Sequence, residues 1–400
     1  MAAELITIAE ARERVLAAVQ PLAPERIPVA DALDRVLAAD VNAAGDVPPF
    51  PSSAMDGYAV DAGPPGRRLT VVGESRAGSP TERRLGEGEA IRISTGAAVP
   101  PGATAVVPQE QVQAEDGAIV ISAAVAPGDH IRPAGEVMRT GAPVLVRGVK
   151  LGPGELAAVI AAGAGEVLVS QRPRVRVLCT GDELREPGVP LGPGEIHNSN
   201  GPMLVALASR SGALSAAAQQ LADDRRATEA GLEAALSGAD VVIVSGGVSV
   251  GPHDHVKPAL AGLGVEEVFW GVSLQPGKPT WFGKRERKLV FGLPGNPVSA
   301  AVTFSLFVAP ALAALQGAAP AAISAGEAVL GVDVRRNGRR EQAIRVRLER
   351  HDGDTVAVPN GPQESHALTS LLGADALALI PPGEGSLKAG TRVTLAPPPR

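Results

Sequence analysis

Residues 291–300 read FGLPGNPVSA, directly after the apolar pair Leu289 and Val290 and before AVTFSLFVAPALAAL at 301–315. The pattern is a strand entering a helix through a corner built from Pro294, Gly295, Asn296 and Pro297. Proline fixes φ, and at a first helical position it gives up an N–H that would have had no partner. Asn296 is a natural cap for the helix behind it. The spacing therefore predicts a stiff corner opening a helix over 297–315, with N–H groups free to hold a phosphate or oxyanion. Taken alone, the loop fits a rigid turn with nothing bound equally well.

Reading outward, strands and helices alternate from residue 173 to 318. RVRVLC (174–179) and ADVVIVSGG (239–247) read as strands, the second a continuous apolar run of the kind buried on both faces. NGPMLVALASRSG (200–212) reads as a helix capped by Asn200, with Pro202 in its first turn. RRATEAGLEAALSG and HDHVKPALAGLG read as further helices, VEEVFWGV as extended, and TWFG with KLVFG as a hairpin. This order predicts a mostly parallel sheet with helices on both faces. In such a sheet ligands sit beyond the carboxyl ends of the strands.

Four loops leave those ends. TGDEL (180–184) offers a Thr180–Gly181 turn, then Asp182 and Glu183, hard oxygen donors suited to Mg²⁺. Acids in a helical first turn would equally serve the dipole without a ligand. SGGVSVGPHDHVK (245–257) places Ser245, Gly246, Gly247, Ser249, Asp254 and Lys257 after the buried strand, a turn whose N–H groups can approach an anion. His253 and His255, two apart, do not share a helical face and are not read as metal ligands. In LQPGKPTWFG, Lys278 is bracketed by Gly277 and Pro279, a point charge on a stiff backbone. The fourth loop is the opening corner.

The other regions differ in texture. Residues 1–40 read as a helix, a break at Pro21, Pro24 and Pro28, and a second helix around Ala30–Ala39. Residues 47–141 carry short β-rich pieces between Gly/Pro turns, including PPFPSSAMDGYAVDA with the single tyrosine, Tyr58. Residues 142–172 return to a turn and an Ala-rich helix that could pack back on the N-terminal elements, making the β-rich piece an insertion. The last 80 or so residues read as a compact β-barrel or sandwich. The expected units are 1–46 with 142–172, then 47–141, 173–318 and 319–400.

A chain of 400 residues is too long for one core. A net charge of −6 gives no basic face for nucleic acid. No apolar run free of polar, Gly or Pro interruption reaches the length of a membrane span, and the N-terminus has an amphipathic pattern unlike a signal peptide. The single cysteine, Cys179, excludes an internal disulfide and a Cys-cluster metal site, and a reducing cytoplasm is expected. With 2% aromatic residues, recognition should rest on loops and polar groups.

Together SAMDGYAV, STGAAVPPGATAVV, TGDEL, SGGVSVG with Asp254 and Lys257, PGKP and GLPGNPVSA resemble, in order and approximate spacing, the molybdopterin molybdenumtransferases: the bacterial MoeA proteins and the corresponding domain of gephyrin. The resemblance covers nearly the whole chain. It implies a MogA-like doubly wound α/β domain, a β-rich inserted domain, an N-terminal helical and extended domain, and a small C-terminal β-barrel. It implies insertion of molybdate into adenylylated molybdopterin with release of AMP, a need for Mg²⁺, and an elongated homodimer whose site lies between subunits. A molybdopterin adenylyltransferase would be a partner. Carried onto this chain, Asp56 and Thr95 would close the site from the second domain. Glu183, Asp254 and Lys278 would act in it, with Glu183 and Asp182 at the metal. Thr180, Gly181, Asp223, Ser245, Gly246, Gly247, Ser249, Lys257, Pro294, Gly295, Asn296 and Pro297 would hold substrate. The chain departs from the family pattern at Gly271, Gln275 and Val137, where charged residues are usual. A paralogue that inserts tungstate, or binds the pterin nucleotide as a non-catalytic scaffold, is the alternative implied.

Overall fold

A computed structural model describes residues 5–247, 255–318 and 325–399. The chain opens on α1 (Ile8–Ala17), started by a capping box: Thr7 Oγ1 accepts from the Glu10 N–H, and Glu10 answers from the Thr7 N–H. Next come β1 (Pro24–Pro28) and β2 (Val41–Asn42). No helix forms over 30–39 beyond a single 3₁₀ turn at Val29–Asp31. Backbone pairing wins there: the Leu37 N–H bonds Val149 O and the Ala38 N–H bonds Leu168 O, so helix propensity loses to tertiary partners.

The β-rich stretch holds β3 (Gly57–Val60), β4 (Arg68–Ser75), β5 (Glu89–Ile93), β6 (Ala105–Pro108), β7 (Val112–Glu115) and β8 (Ala118–Ile121), forming one sheet in the order β6-β3-β5-β4-β8-β7. The chain then returns through β9 (Pro143–Leu145), α2 (Pro153–Ala161) and β10 (Glu166–Ser170). β10 pairs antiparallel with β1 and β9 with β2, so segments on either side of the β-rich sheet are stitched together.

The α/β part contains β11 (Arg174–Thr180), α3 (Asn200–Arg210), β12 (Leu214–Ser215), β13 (Gln219–Leu221), α4 (Arg225–Gly238), β14 (Val241–Ser245), α5 (Val256–Gly262), β15 (Glu266–Trp270), β16 (Leu274–Gln275), β17 (Trp281–Arg285) and β18 (Lys288–Leu293). The sheet order is β12-β11-β14-β18-β17-β15, with β13 also on β11. Pairings from β12 to β18 are parallel; the hairpin β17–β18 and the edge β15 are antiparallel. Alternation along β14 explains the two layers of helices. Val241 and Ile243 join one core with α1, α3 and the helix after residue 297, while Val242 and Val244 join another with α4 and α5. This is a doubly wound sheet.

α6 (Pro297–Thr303) continues through a π-turn at Phe304–Val308 into α7 (Ala309–Leu315). The run 297–315 is long and apolar enough to cross a membrane by length and composition, but 83% of its most apolar 18-residue stretch is buried here, as in a core helix. α1 contributes Ile8, Ala11 and Val15 to this same core. The first helix therefore packs with the α/β unit, because its apolar face finds the π-turn and α7.

The C-terminal part supplies β19 (Gly326–Leu330), β20 (Glu341–His351), β21 (Asp354–Pro359), β22 (Ala376–Ile380) and β23 (Arg392–Ala396). Each bonds two neighbours, β20-β21-β19-β23-β22 and back to β20, which closes a five-stranded barrel. β16 adds to β20 in parallel, tying the α/β part to the barrel.

Phe291 is fully buried in the sheet with its ring 4.8 Å from that of Phe282. Phe291→Ala should destabilise the α/β unit by about 3–5 kcal/mol. Both tryptophans, Trp270 and Trp281, sit in this sheet, so a lowered urea midpoint of their fluorescence transition checks it.

Candidate active site

β11, β14 and β18 are adjacent and parallel, and end at Thr180, Ser245 and Leu293. From β11 the chain moves out to β12 and β13 on one side, then returns as β14 on the other. The order reverses between β11 and β14, where a doubly wound sheet opens a crevice. A cleft of about 530 Å³ lies there.

Its floor is backbone. Gly246 and Gly247 have φ of +89° and +64°, and a Cβ on either would stand 2.9 Å from Thr180 Oγ1. Only glycine allows both that left-handed turn and that approach. The Gly246 N–H bonds Leu293 O at 3.1 Å, fastening this turn to the corner after β18. Gly295 and Pro297 line the cleft from that corner.

The acidic wall comes from two loops. The Glu183 carboxylate folds back against Gly181, and Glu183, Thr180 and Gly181 all line the cleft. Asp182 Oδ1 accepts from the Asp223 N–H at 3.1 Å, and Asp223 Oδ2 accepts from the Asp182 N–H at 3.3 Å. Asp223 lines the cleft and Asp182, which is exposed, does not. Neighbouring Asp224 caps α4, its Oδ1 taking the Ala227 N–H at 2.9 Å, while Asp223 faces the cleft lining. Among the described residues no three His, Cys, Asp or Glu side chains converge as a metal cage. Glu183 and Asp223 nonetheless fit Mg²⁺, which takes one or two carboxylates and completes its shell from phosphate and water.

Several expected residues fall elsewhere. Lys278 is exposed and Lys257 lies with Nζ 4.3 Å from the Trp270 ring; neither lines the cleft. Pro294 is buried behind the corner. Asn296 occupies the cap position of α6, yet its side chain makes no capping bond; its Nδ2 donates to Ser365 Oγ at 3.0 Å, because the barrel's loop lies within reach. Asn200 is likewise not the cap of α3, since Asn198 Oδ1 takes the Gly201 N–H at 2.9 Å. Ser249 and Asp254 lie outside the described residues, as does His253. Asp56 and Thr95 belong to the β-rich sheet region and meet each other: Thr95 donates to Asp56 Oδ1 from its N–H at 2.7 Å and its hydroxyl at 3.0 Å. They do not line the cleft.

Sequence reading missed Gln220, whose Nε2 donates to Gly181 O and Leu184 O, both at 3.1 Å, and shapes the acidic loop. A glutamine in a short strand carries no signal of this. It also missed the role of Asn200, visible in the sequence only as a helix-opening asparagine. Two of the three departures, Gly271 and Gln275, sit in specific local settings, and nothing in the structure explains Val137. Gly271 has φ of +90°, and a Cβ there would come 2.7 Å from Leu5 Cδ2. Gln275 Oε1 accepts from Asn337 Nδ2 at 2.5 Å, a tie to the barrel.

Cys179 lines the cleft but is 1% exposed, and burial pushes its thiol up to about 11. The thiol stays protonated at neutral pH, so iodoacetamide should leave the native chain unmodified at pH 8 and label it once urea unfolds it. The Thr95 N–H, then its hydroxyl, hold the Asp56 carboxyl below its usual range, with Arg92 adding a lesser share. That interaction is present above the ordinary carboxylate pKa and fades as pH falls through the depressed one. Thr95→Ala removes the hydroxyl alone, so the Asp56 pKa should rise but stay depressed, as read by carboxyl ¹³C NMR titration.

Residues 6–163 match the MoeA N-terminal region (domain I and II), 176–314 a probable molybdopterin binding domain, and 327–397 the MoeA C-terminal region (domain IV). A molybdopterin molybdenumtransferase of Haemophilus influenzae is 36% identical over 98% of both chains. One from Staphylococcus aureus is 32% identical over 89% of this chain and 87% of its own. A molybdopterin biosynthesis moeA protein from Pyrococcus horikoshii has the same fold, with a TM-score of 0.82 at 31% identity, covering 98% of this chain and 100% of that one. With three consecutive regions matching and relatives aligned end to end, the chain belongs to the MoeA family of molybdopterin molybdenumtransferases.

Proposed function

We propose that this chain is a transferase that ligates molybdate into adenylylated molybdopterin, releasing AMP and giving molybdenum cofactor. The observation that carries the reading is the cleft itself: an acidic wall of Glu183 and Asp223 facing a glycine floor at Gly246 and Gly247, at the crossover of a doubly wound sheet. The first turn of α6 suits phosphate oxygens, since the Asn296 side chain leaves its N–H groups uncapped, and the Gly246–Gly247 turn keeps side chains out of the space beside it. Glu183 and Asp223 would hold Mg²⁺, which supplies polarisation of the phosphate linkage. Thr180 and Ser245 orient the substrate from the strand ends. No side chain is required as a nucleophile, and the protonated, buried Cys179 is not one.

The active form is a cytoplasmic homodimer. Asp56 and Thr95, preorganised on each other but away from their own chain's cleft, would close the cleft of a second copy. Substrate would come from a molybdopterin adenylyltransferase. Glu183→Ala should lower molybdate-dependent AMP release at least about 100-fold while gel filtration still returns a folded dimer. Unchanged release would remove Glu183 from the chemistry, and AMP release indifferent to molybdate would remove the insertion step.

A further inference from the structure

Between the acidic wall and α3 the chain makes an excursion over residues 184–197, whose neck stands at the cleft. There the two-residue strands Leu184–Arg185 and Ile196–His197 pair in parallel, with Leu184 opposite Ile196. The Ile196 N–H donates to Glu183 O at 2.9 Å and the Asn198 N–H to Arg185 O at 2.8 Å, while Arg185 pairs with Glu195 at 2.5 Å. His197 Nε2 donates to Val189 O at 2.9 Å, closing the excursion on itself. Farther on, Asn200 Nδ2 donates to Ser245 Oγ at 2.9 Å and to Gly295 O at 2.6 Å, joining the loop after β14 to the corner after β18. The backbone of Ile196 is thus fixed beside that of Glu183 before any ligand arrives.

This neck carries aliphatic surface into a cleft that is otherwise largely polar. Leu184 and Ile196 both line it; Leu184 is half-buried and packs against the core beneath, whereas Ile196 is 53% exposed. One exposed isoleucine on open surface would be ordinary, but this one lines the cleft next to its acidic wall. Among the described residues no Phe, Tyr or Trp lines the cleft, so a flat ring entering it meets none of these aromatic faces. Aliphatic surface is the remaining partner for the face of such a ring, and taking both out of water is favourable. A β-branched side chain is stiff at its first torsion, so Ile196 offers that surface with little freedom to lose.

We propose that Ile196, backed by Leu184, is the shelf against which a flat heterocycle of the substrate lies, which makes Ile196 a specificity-determining residue at the acidic end of the cleft. This rests on the pterin-nucleotide reading, whose substrate carries two flat ring systems, adenine and the pterin. Binding to the full chain is measured by calorimetry for three probes: AMP, 6-carboxypterin, and ribose 5-phosphate, which keeps the sugar and phosphate of AMP without its base. Ile196→Ser removes the aliphatic surface, and Ile196→Val keeps most of it. Ile196→Ser should weaken AMP or 6-carboxypterin roughly tenfold, and the compound that loses affinity names the ring. Ribose 5-phosphate should bind that variant as it binds the parent chain, and Ile196→Val should hold the affected ring compound more tightly than Ile196→Ser does. Unchanged binding of both ring compounds to Ile196→Ser overturns the inference and leaves the cleft reading standing. An equal fall for all three probes also overturns it, because a displaced loop and not a lost ring contact would then be the cause. Failure of both ring compounds to bind the parent chain would remove the cleft reading and this inference with it.

Discussion

Everything at the cleft depends on how closely the backbone after β14 approaches the end of β11. Thr180 sits within van der Waals range of where Gly246 and Gly247 would carry side chains. That contact can exist only because two successive residues lack a Cβ and adopt positive φ. The crossover of the sheet places the two strand ends next to each other, and the glycines then let the loops fold flat. The floor so formed consists of peptide groups instead of side chains. A protein with only 2% aromatic residues has few rings on which to stack a ligand, and directional backbone and amide groups take their place.

Around that floor, polar side chains act mainly as braces. Gln220 holds the acidic loop, Asp182 and Asp223 clasp each other's backbone, and Asn200 joins two loops. The Gln220 brace satisfies half-buried carbonyls, and the Asp182–Asp223 clasp ties two exposed loops together. The barrel reaches the same neighbourhood twice, through β16 on β20 and through Asn296 on Ser365. The corner of residues 293–297 is therefore stiffened by proline from within and by the C-terminal unit from without.

Much of the architecture was legible in the sequence because its signals are local. The runs 241–245 and 288–293, the hairpin over 281–293 and the short barrel strands all announce themselves by apolar continuity or alternation between turn residues. The glycine and proline corners were legible for the same reason. What failed was non-local. Residues 30–39 look helical in isolation, and only pairing with 149 and 168 denies them a helix. Asn296 has cap chemistry but a competing partner 69 residues away. Where Lys257 and Lys278 sit, the first over the Trp270 ring and the second exposed, is likewise carried by no one-dimensional pattern. Gln220 and the bridging role of Asn200 emerge only once three loops are assembled.

The seating of α1 has a consequence for how the protein is made. Its apolar stripe of Ile8, Ala11 and Val15 is covered by the π-turn and α7, about 300 residues later in the chain. At about 5–20 residues per second, the ribosome needs roughly 15–60 s to deliver that cover after the helix emerges. The usual order, in which the earliest residues settle first, cannot apply here. During elongation α1 presents bare aliphatic surface that is sheltered only when the segment about 300 residues later has been made, which is a window for chaperone engagement.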